Sequence, residues 1–148
     1  MTTAKAPDYT ATIELGRSPD DVFAAIADVG DWWLGEVTGQ ADRVGAEFTY
    51  RYQDIHASTQ RVTEFLPGRR IVWDVVDSDL SFVSEPDPWT GTRIVFDLQP
   101  SGGGTRLTFT HQGLTPAKEC YGACSAGWDH FVIGSLRQFV EAGVGVPL

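Results

Sequence analysis

Residues 115–142 read TPAKECYGACSAGWDHFVIGSLRQFVEA, and this stretch has the signals of one long helix at both of its ends. Thr115 suits the N-cap of a helix and Pro116 suits its first turn. The glycines that follow Ala142 suit its end. The pattern therefore predicts one helix over Thr115–Ala142, roughly 39 Å long at about 1.5 Å per residue.

At about 100° per residue, the large apolar side chains of this helix gather on one face. That face carries Tyr121, Cys124, Trp128, Val132, Ser135 and Phe139, with Phe131 and Leu136 at its edges. The opposite face carries Glu119, His130, Arg137 and Glu141. An amphipathic helix of this length needs an apolar partner surface elsewhere in the chain.

Two histidines and both cysteines lie near or within this helix, which raises the alternative of a metal site. On the helical projection, however, His130 points away from Cys120 and Cys124. A closed zinc site needs four ligands, and neither CxxC nor HExxH occurs. A free cysteine is usually a small buried hydrophobe. We therefore expect no metal and no cofactor, and we expect His130, Cys120 and Cys124 to be functionally silent.

The partner surface is predicted by the alternating pattern of the preceding chain. The first strand covers Tyr9–Leu15, and Ser18 then caps a helix that Gly30 is expected to end. The stretch STQRVTEFLPGRRIVWDVV predicts two strands joined at Pro67-Gly68, a pair typical of a type II turn. The other predicted strands are EFTYRYQ, TRIVFDL and TRLTFTHQ, and SDLSFVSEPDPWTG is predicted to be a loop. Together they favour an antiparallel meander.

Composition and charge limit the classes of function that the chain can have. At 148 residues we expect a single domain over 1–148, with its core at about 9–142. The formal charge of −9 argues against nucleic acid and against an anionic membrane surface. The sequence contains neither a visible secretory signal nor a long apolar run, so we expect a cytoplasmic protein.

The chain is rich in aromatic residues, with five Trp, eight Phe and four Tyr, which fits either a well-filled core or an apolar cavity. His111 follows Leu107 and Phe109 on an inward strand face. It is expected to be a core histidine bonded to backbone or, second, a polar group of a pocket. Three glycines lie within the helix, at Gly122, Gly127 and Gly134. Close packing on the sheet is the favoured reason for them, and room for a ligand beside Trp128 is the alternative.

Several stretches occur in the order and spacing of a known family: SPDDVFAAIAD, VGAEFTY, VTEFLPGRRIVWDV, GTRIVFDL, GTRLTFTHQGL and GWDHFVIGSLRQFV. From about Tyr9 to Phe139 the chain resembles the START-like (SRPBCC) superfamily. It looks most like the branch of homologues of the activator of heat-shock protein 90 ATPase. The resemblance implies an α+β helix-grip fold, in which a curved antiparallel sheet of about seven strands wraps around a long C-terminal helix, with short helices after the first strand.

The resemblance also implies a hydrophobic cavity between the sheet and the C-terminal helix. We expect this cavity to bind a small apolar or aromatic ligand and to be lined by Tyr50, Tyr52, Trp73, Phe96, Phe109, His111, Tyr121, Cys124, Trp128 and Val132. We expect it to be enclosed, with a volume of about 300–1,000 Å³, and to be filled by Ser135→Phe.

No catalytic residue is predicted, because no known catalytic signature occurs. One alternative is a cyclase, aromatase or hydrolase that uses the same cavity, with His111 as acid or base and Tyr50, Tyr52 or Tyr121 as orienting donor. Another is a chaperone-interaction domain involved in the stress response. The sequence leaves undecided whether the protein forms a homodimer and whether a chaperone is a partner.

Overall fold

The computed structural model describes residues 7–147 of the chain. Seven antiparallel strands form one curved sheet in the order β1-β7-β6-β5-β4-β3-β2, and a C-terminal helix of 22 residues lies against it. The strands are β1 (Tyr9–Leu15), β2 (Glu36–Gly39), β3 (Glu47–Tyr52), β4 (His56–Leu66), β5 (Arg70–Leu80), β6 (Arg93–Ser101) and β7 (Gly104–Gln112). The predicted α+β helix-grip fold is confirmed.

Two short helices follow the first strand: α1 (Pro19–Ala27) and α2 (Val29–Trp32). The Ser18 hydroxyl accepts a hydrogen bond from the Asp21 backbone N–H at 3.2 Å, which is the predicted N-cap. The expectation that Gly30 ends the helix was wrong. The first helix ends at Ala27, and Gly30 lies inside α2.

The β4–β5 hairpin turns where its sequence predicts. The Arg69 N–H donates to the Leu66 carbonyl at 2.9 Å, and Gly68 has the positive φ of 71° that the third residue of a type II turn requires. The short strand β2 was not predicted, because its four residues alternate too briefly to give a signal. Strand β5 also continues to Leu80, through the start of the predicted loop.

The C-terminal helix consists of α3 (Tyr121–Trp128), a π-helical segment (Asp129–Leu136) and α4 (Arg137–Ala142). It ends as predicted before Gly143, which has a φ of 82°. The predicted start at Thr115 was wrong. Residues 115–120 form turns, and Cys120 occupies the N-cap position.

Contacts with the β5–β6 loop (residues 81–92) explain the late start of the helix. The Lys118 ammonium donates to the Pro88 carbonyl at 2.8 Å. The Glu119 carboxylate accepts hydrogen bonds from the backbone N–H groups of Ser84 and Glu85 at 3.1 and 3.3 Å. These contacts hold residues 118–119 against the loop, so these residues do not continue the helix toward its N-terminus.

The core lies between the inward face of the sheet and the C-terminal helix. Helices α1 and α2 fill one end of this space with Val22, Ile26 and Trp32, each of which has no exposed surface. At the other end lie two buried tryptophans from connections, Trp33 after α2 and Trp89 before β6. Within residues 7–147, no helix is long and apolar enough to cross a membrane.

Candidate functional site

A pocket of about 350 Å³ lies at the end of the core that α1 and α2 leave uncovered. Helix α3 forms one wall, strand β3 and the start of β4 form the second, and the β5–β6 loop forms the third. The lining residues are Trp33, Tyr50, Tyr52, Ile55, His56, Ser81, Phe82, Trp89, Ala123, Cys124, Gly127, Trp128 and Phe131.

Aromatic rings from four different parts of the chain meet in this pocket. Trp33 stacks on Tyr50 with a centroid distance of 4.0 Å and an interplanar angle of 11°. Trp33 also lies 4.9 Å from Trp128, which in turn stacks on Trp89 at 5.5 Å. Such walls suit a flat apolar molecule, because aromatic rings favour offset-stacked and edge-to-face contacts.

The small residues of α3 provide the space. A Cβ atom built on Gly127, which lines the pocket, meets no atom within 4 Å. The same is true of Gly122 and Gly134. Close packing on the sheet therefore does not explain these glycines. At Gly127 the structure instead has free space beside Trp128, which agrees with the alternative explanation that the glycine leaves room for a ligand.

The pocket opens to solvent between two exposed apolar side chains. Ile55 is 41 % exposed and Phe82 is 45 % exposed, and both belong to the lining. The volume lies within the expected range, but the expected full enclosure is wrong. Lys118 and Glu119 hold the β5–β6 loop beside the helix, and Phe82 of that loop stays exposed at the pocket mouth.

His56 is a polar side chain of the pocket lining. Its ring lies 4.7 Å from Trp89 and 5.1 Å from Tyr50, and its Nε2 shares a 2.8 Å hydrogen bond with the buried Ser58 hydroxyl. Burial lowers the pKa of His56 to about 4, so the ring is neutral at pH 7. The pocket therefore offers a neutral imidazole and no charge at this point.

The Cys124 thiol forms another part of the wall. Its Sγ accepts a hydrogen bond from the Trp89 indole N–H at 3.3 Å. A hydrogen bond with Cys120, followed by burial, raises the pKa of Cys124 above its usual range. Both cysteines are buried and free. Within residues 7–147, no group of three or more His, Cys, Asp or Glu side chains could hold a metal ion.

Eight of the ten residues predicted to line a cavity divide into two groups. Tyr50, Tyr52, Cys124 and Trp128 lie in the pocket wall. The packed interior holds Trp73, Phe96, Phe109 and Val132, none with any exposed surface. In that part of the core Trp32 fills the space, with its ring 6.0 Å from Phe96 and 6.4 Å from Trp73. The cavity is therefore lined by only part of the predicted set and lies to one side of the packed interior.

His111 is a core histidine rather than a pocket residue. Its Nδ1 accepts a hydrogen bond from the Trp128 indole N–H at 3.0 Å, and its Nε2 lies 2.8 Å from the Thr92 hydroxyl. The Thr92 hydroxyl donates to the Trp89 carbonyl, so it accepts from the His111 Nε2–H. Burial lowers the pKa of His111 to about 3. The partners are side chains, not the backbone groups that were expected.

Two further expectations, on Tyr121 and on Ser135, differ from what the structure has. Tyr121 does not line the pocket; it is half-buried and packs against the core. The Ser135 hydroxyl donates to the Trp32 carbonyl at 2.7 Å and accepts from the Val146 N–H at 2.8 Å, in a region without free space. Ser135→Phe therefore cannot serve as the substitution that fills the pocket.

Sequence reasoning missed Trp33, His56 and Trp89, which are central to the pocket. Trp33 and Trp89 lie in connections, where alternation gives no information about direction. His56 could have been found, because the register of the β3–β4 hairpin places it directly opposite Tyr52. The predicted inward direction of Tyr52 would then have applied to His56 as well.

Comparison with known proteins identifies the family. Residues 17–141 match the family described as "Activator of Hsp90 ATPase homolog 1-like protein". The chain belongs to this family. Its structural neighbours belong to the SRPBCC or START-like superfamily, as the sequence resemblance implied. No curated protein sequence matches the chain significantly.

Three solved structures illustrate the shared fold. The Aha1 dimer from Colwellia psychrerythraea is 24% identical with a TM-score of 0.76, covering 94% of this chain and 99% of that one. DynU16, a putative protein in the dynemicin biosynthetic locus, is 19% identical with a TM-score of 0.67, covering 94% and 49%. The Mll3558 protein from Rhizobium loti is 30% identical with a TM-score of 0.55, covering 74% and 81%.

Proposed function

We propose that the protein binds a small apolar or aromatic molecule in the pocket beside α3, as one START-like domain with its core over about residues 9–142. The observation that carries this proposal is the pocket itself, which combines about 350 Å³ of space with walls of Trp33, Tyr50, Trp89 and Trp128. Most small-molecule sites are concave, largely apolar and of this size. The neighbour DynU16, described as a putative protein in the dynemicin biosynthetic locus, supports the same proposal.

The proposal is tested by filling the pocket from the helix. Gly127→Leu places a branched side chain in the free space beside Trp128, and we expect it to weaken the binding of naphthalene at least tenfold. Binding is measured by isothermal titration calorimetry. The fold should survive, because Leu in place of Gly within a helix favours the helix by about 1 kcal/mol.

Gly122→Leu is the matched control. Gly122 lies in the same helix, is exposed, has no atom within 4 Å of a built Cβ, and is absent from the pocket lining. This variant should bind naphthalene as the wild type does. Equal loss in both variants, or no binding to the wild type, would contradict the proposal.

The family match supports a second candidate, interaction with an Hsp90-type ATPase. A dimer is a further proposal that the Colwellia protein supports, because that relative is described as an Aha1 dimer. Adding the protein to a purified Hsp90-type chaperone and measuring ATP turnover tests the interaction, and sedimentation equilibrium tests the dimer. A rise in turnover that Gly127→Leu leaves intact would assign this activity to a surface other than the pocket.

A further inference from the structure

Two polar side chains lie in the core next to the pocket without hydrogen-bond partners. Gln60 has no exposed surface, and neither its Oε1 nor its Nε2 has a partner among residues 7–147. The Nε1 of Trp73, which is equally buried, also lacks one within that range. Leaving such a group unsatisfied costs about 1–3 kcal/mol, and native cores rarely do so without a reason.

The register of the sheet locates Gln60. It lies in β4, directly opposite Phe48 of β3 on one side and Val75 of β5 on the other. On the same face Tyr50 and Trp73 are its diagonal neighbours, at a distance that long side chains can span. The amide therefore lies among Phe48, Tyr50 and Trp73.

Trp33 lies over these same neighbours. Its ring stacks on Tyr50 at 4.0 Å and on Trp73 at 6.2 Å, and it meets the edge of Phe48 at 6.4 Å. Trp33 is also part of the pocket lining. Trp33 thus contacts both the pocket and the rings beside the Gln60 amide.

The residues around Gln60 determine what kind of group could bind there. The Gln60 amide offers two donors and one acceptor, and the Trp73 indole offers one donor. A hydroxyl group can accept from one of these and donate to the other. A carboxylate would be buried beside apolar rings without a cation, which is far more costly than burying a neutral group.

We propose that the ligand of this pocket is a hydroxylated aromatic molecule, whose neutral hydroxyl displaces the Trp33 ring and binds the Gln60 amide and the Trp73 indole N–H. This inference rests on the proposed function and specifies the ligand class. Gln60 then acts as the specificity-determining residue, because a ligand hydroxyl satisfies its unpaired amide and an apolar group of the same size does not.

The test compares two probes of similar size, 2-naphthol and 2-methylnaphthalene, by isothermal titration calorimetry. Wild-type protein should bind 2-naphthol about tenfold more tightly, the factor that corresponds to about 1.4 kcal/mol. Gln60→Leu should bind the two probes equally, through loss of 2-naphthol affinity alone. Gln60→Met, with an unbranched side chain of similar length, should behave in the same way.

A measurement on the wild type keeps the test independent of folding in the variants. The indole N–H resonance of Trp73, assigned from the spectrum of Trp73→Phe, should shift when 2-naphthol binds and stay in place when 2-methylnaphthalene binds. If the wild type binds both probes with equal affinity and the Trp73 resonance is unchanged, the hydroxyl subsite is overturned while pocket binding stands. If the wild type binds neither probe, the proposed function and the subsite are both overturned.

Discussion

The two halves of the C-terminal helix meet the same sheet in different ways. Helix α3 presents Ala123, Cys124 and Gly127 and leaves a pocket of about 350 Å³. The π-helical segment that follows presents Val132, Ser135 and Leu136, all without exposed surface. The aromatic rings of the sheet are large at both ends, so they do not cause the difference.

The difference comes from what lies between the sheet and the helix. At the π-helical segment, Trp32 of α2 fills the gap, and its backbone carbonyl accepts the hydrogen bond from Ser135. At α3, Trp33 contacts both Tyr50 of the sheet and Trp128 of the helix, and the pocket remains beside it where the helix contributes small side chains. A cavity in this fold thus depends on small helix residues and on where the short helices end, more than on the number of aromatic residues.

The largest expected effect is on stability, and it is tested by truncating one aromatic side chain in the packed interior and one at the pocket mouth. Phe109→Ala removes a ring from the packed interior, where it lies 5.2 Å from Phe96 and 4.8 Å from Trp128. We expect it to lower the free energy of unfolding by about 4 kcal/mol, because truncation there leaves a cavity. The measurement is urea unfolding followed by circular dichroism.

Phe82→Ala is the counterpart at the pocket mouth. Because Phe82 is 45 % exposed, we expect its truncation to change the free energy of unfolding by no more than about 0.5 kcal/mol. It should instead weaken naphthalene binding. A large loss of stability with Phe82→Ala, or a small one with Phe109→Ala, would mean that the packed and open regions have been assigned the wrong way round.

The sequence predicts most of the sheet, because alternation and turn chemistry act locally. The N-cap at Ser18 and the turn at Pro67-Gly68 depend on a few adjacent residues and are where the sequence predicts them. The start of the C-terminal helix depends on contacts between Lys118 and the β5–β6 loop, far away in sequence. No local pattern contains that information.

The candidate site was predicted only in part, for a similar reason. Tyr50 and Tyr52 lie on a strand whose inward face is evident from alternation, and both line the pocket. Phe96 lies on an equally clear inward face, yet Trp32 covers it. Whether an inward ring borders a cavity or a packed core depends on a third element, and strand periodicity does not report on that element.

The two buried histidines provide a comparison through pH. His111 belongs to the packed interior and His56 to the pocket, and burial lowers their pKa values to about 3 and about 4. Since an unfolded histidine titrates near pH 6.5, the unfolded chain binds more protons than the folded one below that pH. Stability should therefore fall as the pH falls from about 6.5 toward 4.

Each histidine should contribute up to about 1.4 kcal/mol per pH unit to this slope, with a smaller share from the half-buried His56. The slope is measured by urea unfolding between pH 6.5 and 5, at constant ionic strength. His111→Asn and His56→Asn should each reduce the slope, the former by more. An unchanged slope in His111→Asn would contradict the assignment of His111 as a neutral core residue.

The smallest expected effect on stability concerns His130, on the outer face of the π-helical segment. His130 was expected to be exposed, with a stability change of no more than about 0.5 kcal/mol on substitution by alanine. The ring is instead half-buried. It packs on the edge of Phe131 at 4.9 Å, and its Nε2 lies 2.9 Å from the Val146 carbonyl. The Val146 N–H donates to Ser135, so the segment after the helix is held by both backbone groups of Val146.

Because His130→Ala removes one of these two hydrogen bonds, we expect it to lower the free energy of unfolding by about 1 kcal/mol. The Val146 amide should also exchange its hydrogen faster, since the other bond alone then holds the segment. Gln138→Ala, an exposed position on the same helix, is the control and should change stability by less than about 0.5 kcal/mol. If His130→Ala matches this control in both measurements, the contact with Val146 adds nothing. Of the two contacts of Val146, the hydrogen bond with Ser135 would then be the one that holds the C-terminal segment, and the outer face of the helix would not contribute.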